Sequence, residues 1–288
     1  MKTVLKMRIA ACMYRVISTS RKLAGASDSA RVTRNGLHWE LDLSEGVDLA
    51  IFLFGQFENA TAKVLEKLVP AGAIVLDIGA NIGAQTLPLA RLVGSNGKVY
   101  AFEPPECAFC KMKQNLALNP NLRRRVVPEQ ARLTSPGTHD PGEIYSSLRV
   151  TGQEARHKGH LGIAKSTKGA RVITLDEYLE GVGARRIDFI KLDVDGFEVD
   201  VLRGAKKTLR CCRPSICMEL QPYGLEERGT SVGELLSVLR EGGYTVVDLK
   251  GRSAIIDSAG RLKAQIPDGA GINVLAVPDA NSHRPSSI

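Results

Sequence analysis

Three acids, Asp193, Asp195 and Glu198, stand together in IKLDVDGFEVDVLRGA, residues 190–205, where an apolar run gives way to a helix-forming one. Carboxylates gathered at such a junction can orient a hydroxyl, accept its proton or hold a divalent cation. Strand alternation turns Lys191 to the same side as Asp193, making it an ion-pair partner within a catalytic group. Glu219, at the end of the next apolar run, PSICMEL, adds another oxygen donor. Asp193 and Glu219 could serve a substrate hydroxyl or a divalent metal. A carboxylate with a pKa of about 4 is a weak base toward an alcohol, so orientation, with or without a metal, stands beside simple base catalysis. Asp195 and Glu198 also have a plainer reading. D-x-x-E at a helix start is a capping pattern, with Asp195 near the N-cap and Glu198 at N3.

These acids need a ligand to face, and VLDIGANIG, residues 75–83, supplies its cradle. A strand end runs through a glycine-rich turn into a helix. Gly79 and Gly83 permit close approach of a ligand to backbone, and the helix start offers N–H donors. The spacing departs from the dinucleotide pattern G-x-G-x-x-G. Asp77, just before the first glycine, suits an ammonium group and discourages a pyrophosphate. About twenty residues further on, YAFEP ends the next strand with Glu103, placed to take both hydroxyls of a ribose. A nucleoside carrying an amino-acid group answers both acids, and S-adenosylmethionine is such a ligand.

The elements that position these groups alternate. AIVLDIG reads as a strand, AQTLPLARLV as a helix, KVYAFEP as a strand, ECAFCKMKQNLALN as a helix and RRVVPEQA as a short strand. After an irregular stretch come TLDEYLEG, a helix with a Thr174/Glu177 capping box, then strand DFIKLD, helix FEVDVLRGAKKTL and strand PSICMEL. Helix SVGELLSVLREGG and strands YTVVDL and NVLAVP complete the series. Such alternation predicts an α/β fold with one doubly wound, mainly parallel, seven-stranded sheet. Residues 1–31 read as a basic extension. Residues 32–69 read as a hairpin turning at Asn35-Gly36 and a helix over 59–68, both packed on the core domain of 70–279. Residues 132–169 are too long for a connector and read as an excursion over the substrate side, with Tyr145, Ser146, His157 and His160 as its polar candidates. Residues 280–288 read as a frayed tail.

DIGANIG, VYAFEP, NLALNP, ITLDEYL, IDFIKLDVDGFEVDVLRGA and PSICMEL, in that order, resemble the FkbM family of S-adenosylmethionine-dependent methyltransferases over roughly residues 32–250. The resemblance implies a Rossmann-like class I fold and methyl transfer to oxygen. It also implies acceptors among sugars, glycolipids or polyketide-type natural products. Asp77, Gly79, Asn81, Gly83 and Glu103 match its binding motif and would hold the cofactor. Two departures stand out. The family more often reads D-V-E-G-A-E where this chain has Asp195 and Phe197, and the strand after Leu122 lacks an Asp for the adenine amine. Gln130 or Ala131 therefore marks the adenine edge.

Composition bounds the partners. The chain has 288 residues, 43% of them hydrophobic, and a net charge of +8, yet only 5% are aromatic, which leaves little to interleave with bases. A small-molecule or glycan acceptor is expected rather than nucleic acid. RNA or protein methylation remains the alternative, together with a nicotinamide-dependent oxidoreductase and a non-catalytic binding protein of the same fold. Cys107, Cys110, Cys211 and Cys212 lack the two clean pairs of a zinc site and, with Cys12 and Cys217, read as free thiols. His157-x-x-His160 reads as a loop pair rather than a metal pair. No run approaches the ~18 apolar residues of a membrane span, and Arg8 and Arg15 interrupt any signal-peptide core, so a cytoplasmic protein is expected. Leu5, Ile9, Cys12 and Val16 share one side of an N-terminal helix. That side reads as a packing face, with peripheral membrane contact as the second reading.

Overall fold

The computed structural model describes residues 3–138, 141–146, 149–150, 162–250, 260, 263, 266–267 and 269–279. It opens with α1 (Thr3–Leu23), the hairpin β1 (Ser29–Arg34) and β2 (Leu37–Asp42), α2 (Gly46–Phe54) and α3 (Asn59–Leu68). β3 (Ile74–Ile78), α4 (Thr86–Leu92), β4 (Lys98–Phe102), α5 (Glu106–Ala117), α6 (Pro120–Arg123) and β5 (Val126–Glu129) follow. The irregular stretch holds β6 (Ala131–Leu133), β7 (Glu143–Ser146), β8 (Ile163–Ser166) and β9 (Arg171–Ile173). Then come α7 (Leu175–Gly181), β10 (Phe189–Leu192), α8 (Glu198–Arg203), α9 (Lys206–Cys211) and β11 (Ser215–Leu220). α10 (Pro222–Glu227), α11 (Val232–Glu241), β12 (Tyr244–Asp248) and β13 (Ile272–Pro278) close the order.

The central sheet has seven strands in the order β12-β13-β11-β10-β3-β4-β5. β13 is antiparallel to both neighbours, and the pairs from β11 to β5 are all parallel. The chain builds outward from β3 in one direction and from β10 in the other. The order therefore reverses between these two strands, which is where a doubly wound sheet opens its ligand crevice. Side-chain alternation divides the core in two. Leu76, Ile78, Ile190, Leu192 and Met218 face the layer of α7, α8 and α11, while Val75, Phe189 and Cys217 face the layer of α3, α4 and the hairpin. Asp77 and Lys191 occupy the same alternate positions as Val75 and Phe189, and are cross-strand partners.

Residues 29–68 dock through polar contacts that periodicity does not reveal. Asn119 on the core accepts from the His38 N–H (3.0 Å) and donates to the His38 carbonyl (2.7 Å), and Asn115 accepts from the Glu40 N–H (2.8 Å). Asp48 pairs with Lys111 and accepts from the Asp42 N–H, and burial pushes its carboxyl up to about 6. Asn35 and Gly36 both take the left-handed backbone that a two-residue hairpin turn requires.

Three expectations need correction. FEVDVLRGAKKTL is two helices rather than one. The Gly204 Cα lies against the Thr134 carbonyl so closely that a Cβ there would stand 2.0 Å from its oxygen, and α9 restarts with Asp176 accepting from the N–H groups of Lys207 and Thr208. RRVVPEQA ends as a sheet strand at Glu129, and the residues after Gln130 leave to pair with β9. The expected packing face of α1 points outward. Ile9 and Val16 are exposed, and Tyr14 and Ser18 are the buried residues instead. By contrast, the Thr174/Glu177 capping box forms as read. His157, His160 and the tail 280–288 lie outside the described residues.

Candidate functional site

At the carboxyl ends of β3, β4, β10 and β11 lies a cavity of about 350 Å³, within the usual span of small-ligand sites. Gly79, Asn81, Glu103 and Ala131 line it on one side, and Lys191, Asp193 and Glu219 on the other. Asp77, Gly83 and Gln130 lie behind the lining. Asp77 is fully buried and accepts from the Thr86 hydroxyl at 2.6 Å. Its Oδ1 has no hydrogen-bond donor and depends on Lys191 Nζ, 3.8 Å away. Gln130 Nε2 reaches the Pro104 carbonyl at 3.4 Å.

The glycine turn is shaped by its neighbours as much as by any ligand. Gly79 has φ +83°, and a Cβ there would stand 1.7 Å from the Asp193 carbonyl oxygen, so only glycine lets β3 and β10 meet. A Cβ on Gly83 would press on Met112 at 3.3 Å. The expected free N–H donors are absent from Gly79 to Gly83. Gly79 and Ala80 donate to the Phe102 carbonyl, Asn81 to Glu103 (2.7 Å), Ile82 to the Asn81 side chain and Gly83 to the Ala80 carbonyl. A turn whose donors are spent internally has little to offer a pyrophosphate.

The wall is strongly acidic. Glu58, Glu103, Asp193, Asp195 and Glu219 line the cavity, against the cations Lys191 and Arg132. Lys191 Nζ donates to Asp193 (3.1 Å) and to the Gly79 carbonyl (3.1 Å). Burial alone would lower the lysine pKa, but Asp193 and Asp77 outweigh it and hold the ammonium above its ordinary range. Burial pushes Glu103 up to about 7, even though the Asn81 N–H favours its charged form. Burial, then the charges of Asp193 and Glu58, push Glu219 well above the carboxylate range, and it shares a hydrogen bond with Asp193. Glu219 thus stands beside a lysine-paired Asp193.

Asp195 and Glu198 are not an N-cap and N3 pair. The helix begins at Glu198, after Phe197, and Asp195 sits two residues earlier with φ +50°. Asp195 lines the cavity, whereas Glu198 is buried behind it and accepts from the Val194 and Gly196 N–H groups at 3.3 Å. Burial raises both, Glu198 to about 7.

Periodicity missed Glu58, Arg132, Gln221 and Tyr223, all on the lining. Glu58 comes from the N-terminal layer with φ +52°, and it accepts from Thr61 (3.0 Å) and Asn273 (3.2 Å). A non-glycine residue held in left-handed backbone is a mark of a constrained site, but no residue pattern announces it. Tyr223 donates to Gln221, which donates to Glu219, a chain that bridges the junction of β11 and α10 across Pro222. Of the residues expected in the 132–169 excursion, Arg132, Leu133, Ile144 and Gly162 reach the cavity. Tyr145 lies beside Ile144 on β7, with its side chain partly buried, and nothing is described of the Ser146 side chain. Among the described residues, no group of three or more His, Cys, Asp or Glu is arranged to hold a metal, and all six cysteines are free thiols.

Residues 77–246, which carry the glycine turn, Glu103 and Asp193, match the methyltransferase FkbM domain. The chain belongs to the FkbM methyltransferase family. Methyltransferase sdnD of Sordaria araneosa is 28% identical over 160 residues, covering 47% of this chain and 61% of the relative. Hexuronic acid methyltransferase AglP of Haloferax volcanii is 27% identical over 140 residues, 48% of this chain and 52% of the relative. The 2-O-methyltransferase NoeI of Sinorhizobium fredii is 26% identical over 154 residues, 51% of this chain and 61% of the relative. The matches thus span between about half and three fifths of these relatives' lengths. Glu58 and Asn273 lie outside the FkbM match, so this site draws on parts of the chain beyond the family domain. Phe197 is held between the guanidinium groups of Arg132 and Arg228, 4.4 and 4.3 Å from its ring centre.

Proposed function

We propose that this protein is an S-adenosylmethionine-dependent methyltransferase that transfers a methyl group to a hydroxyl of a sugar, glycolipid or natural-product acceptor. One observation carries the reading: an acid-lined cavity stands at the sheet's switch point, and its glycine turn keeps no N–H for an anion between Gly79 and Gly83. Such a wall favours a ligand with a cationic sulfonium and ammonium and opposes a dinucleotide, which weighs against the oxidoreductase reading. One relative is named for a hexuronic acid and another for 2-O-methylation, which supports a carbohydrate-type acceptor and transfer to oxygen.

Glu103, at the end of β4, would take the ribose hydroxyls, with Asn81 and Ala131 bounding the nucleoside. Asp77 would act from behind the turn, fixing its helix start through Thr86 and holding Lys191 in place. The bound cofactor supplies an electrophilic methyl group. Asp193, paired with Lys191, would accept a hydrogen bond from the acceptor hydroxyl and orient it in line, and alignment of this kind is worth about 7–11 kcal/mol in favourable cases. Glu219, which burial and the charge of Asp193 push well above the carboxylate range, would meet a second, neighbouring oxygen of the acceptor. A polyol presents such neighbouring oxygens, so a neutral, hydroxyl-rich acceptor suits this wall. We place this work in the cytoplasm, where free thiols persist.

Titration calorimetry with S-adenosylmethionine and with NAD tests the cofactor, and radiolabelled methyl transfer to a panel of sugars and RNA tests the acceptor. Binding of S-adenosylmethionine alone, with label appearing on a carbohydrate oxygen, is the expected result. NAD binding, or label appearing only on RNA, would overturn it.

A further inference from the structure

The α1 sequence contains five Lys and Arg residues and no Asp or Glu. Its inner side is already committed. Tyr14 and Ser18 are buried, Ala10 and Ile17 pack on the same core, and the Tyr14 hydroxyl donates to Asp28 at 2.7 Å. Arg21 donates to the carbonyls of Ser27 and Ser29 at 3.0 Å each. The outer side is different. Ile9, Val16 and Leu23 are 45%, 64% and 86% exposed, and each follows directly on a cation, Arg8, Arg15 and Lys22. Seven residues fall only about 20° short of two full turns, so the three basic–aliphatic pairs line up along about 21 Å of one ridge. Cys12, also exposed, lies between the first two pairs. Among the described residues Arg8 and Arg15 form no ion pair, and Lys22 comes no closer than 4.0 Å to Asp28.

We propose that the outer side of α1 is a docking surface for an anionic lipid membrane, on which the helix lies parallel to the bilayer. The aliphatic side chains would enter the acyl boundary while the neighbouring cations meet the headgroup phosphates. Charge complementarity selects this occupant. A second copy of the same side would bring cations against cations with no acid on either helix to compensate. A nucleic acid would satisfy the cations but gain nothing from three exposed aliphatic side chains, since strand binding relies on aromatic stacking. The helix is not long and apolar enough to cross a membrane, so it would lie on the surface.

Co-sedimentation of the full chain with vesicles of phosphatidylcholine, and of phosphatidylcholine mixed with phosphatidylglycerol, tests the proposal. The wild type should partition onto the mixed vesicles and not the neutral ones. Each cation at such a surface is worth about fivefold in partitioning, so R8Q/R15Q/K22Q should weaken binding on the order of 100-fold. I9S/V16S/L23S should weaken it at least about tenfold, including at salt concentrations that screen the charges. All six side chains point outward or lie at the helix end, so melting curves and nucleotide binding should stay those of the wild type. Failure of the wild type to bind mixed vesicles would overturn the proposal, as would equal binding by both triple variants. RNA binding without vesicle binding, or self-association abolished by I9S/V16S/L23S in place of vesicle binding, would also overturn it.

Discussion

Replacing Lys191 with methionine removes one charge from the centre of the site while keeping most of the side chain's volume. Lys191 Nζ lies 3.1 Å from Asp193, 3.8 Å from Asp77 and 3.1 Å from the Gly79 carbonyl, and the lysine and Asp77 side chains are 7% and 0% exposed. Removing one partner of a buried ion pair costs about 3–5 kcal/mol, because the other charge stays behind. Asp77 can relieve part of this by taking up a proton. Its carboxyl is already raised by burial against the opposing pull of Lys191, and without the lysine it would rise further. The lower end of the range, about 3 kcal/mol, is therefore the expectation near neutral pH. At about 2 °C per kcal/mol for a chain of this size, Tm should fall by roughly 6 °C.

The pH dependence gives the sharper check. Lys191 has a folded pKa above its unfolded value, so its stabilisation is fully present below the ordinary lysine pKa of 10.5 and is lost only as pH rises through the folded value. Asp77 has a raised pKa, so from its ordinary value of 3.8 upward the folded chain keeps a proton that the unfolded chain releases, and stability declines as pH rises. Losing Lys191 extends that decline to higher pH. The Tm gap between wild type and Lys191→Met should thus be widest at neutral and mildly alkaline pH. It should narrow toward acid, as Asp77 takes up a proton in both forms. Scanning fluorimetry across this range reads both quantities. Equal Tm at about pH 8, or a gap that widens toward acid, would refute the argument that Lys191 neutralises buried acids.

Other outcomes follow from the same site. Asp193→Asn should leave S-adenosylmethionine affinity near wild type by calorimetry while turnover falls at least about 100-fold in a label-transfer assay, and near-normal turnover would remove Asp193 from the reaction. Glu103, pushed up to about 7, must be ionised to accept two ribose hydroxyls, so nucleotide affinity should rise as pH passes upward through about 7 and level off above it. Glu103→Gln should bind more weakly and lose that dependence. Glu103 and Glu198, both with pKa raised to about 7, should make wild-type stability decline between their ordinary value of 4.5 and about 7, visible as falling Tm. Thr174→Ala removes a capping box whose residues do not line the cavity and should cost about 0.5–2 kcal/mol in denaturant unfolding without altering S-adenosylmethionine binding.

Much of the frame was legible because it is local. The Asn35-Gly36 turn, the Asn59–Leu68 helix, the Thr174 capping box and the buried strands ending at Ile78, Phe102, Leu192 and Leu220 all follow from side-chain period and backbone preference over a few residues. Strand order also brought Lys191 beside Asp193, since alternate residues of one strand share a side. The motif residues Gly79, Glu103 and Asp193 were found for the same reason: each stands at a strand end that the pattern marks.

The sequence by itself therefore determined the strands, the turn between them and the acids at their tips. Only the tertiary structure decided what those acids meet. Glu58 and Asn273 join Asp193 from opposite ends of the chain. Gly79 is required by a carbonyl on the neighbouring strand, the turn's N–H groups are consumed within the fold, and the aliphatic side of α1 faces out while Tyr14 faces in. Periodicity reports that a side of an element is apolar or charged, because that is set by neighbours in sequence. Which surface covers that side, and how much water remains to support its charges, depends on segments the chain brings together only when it closes.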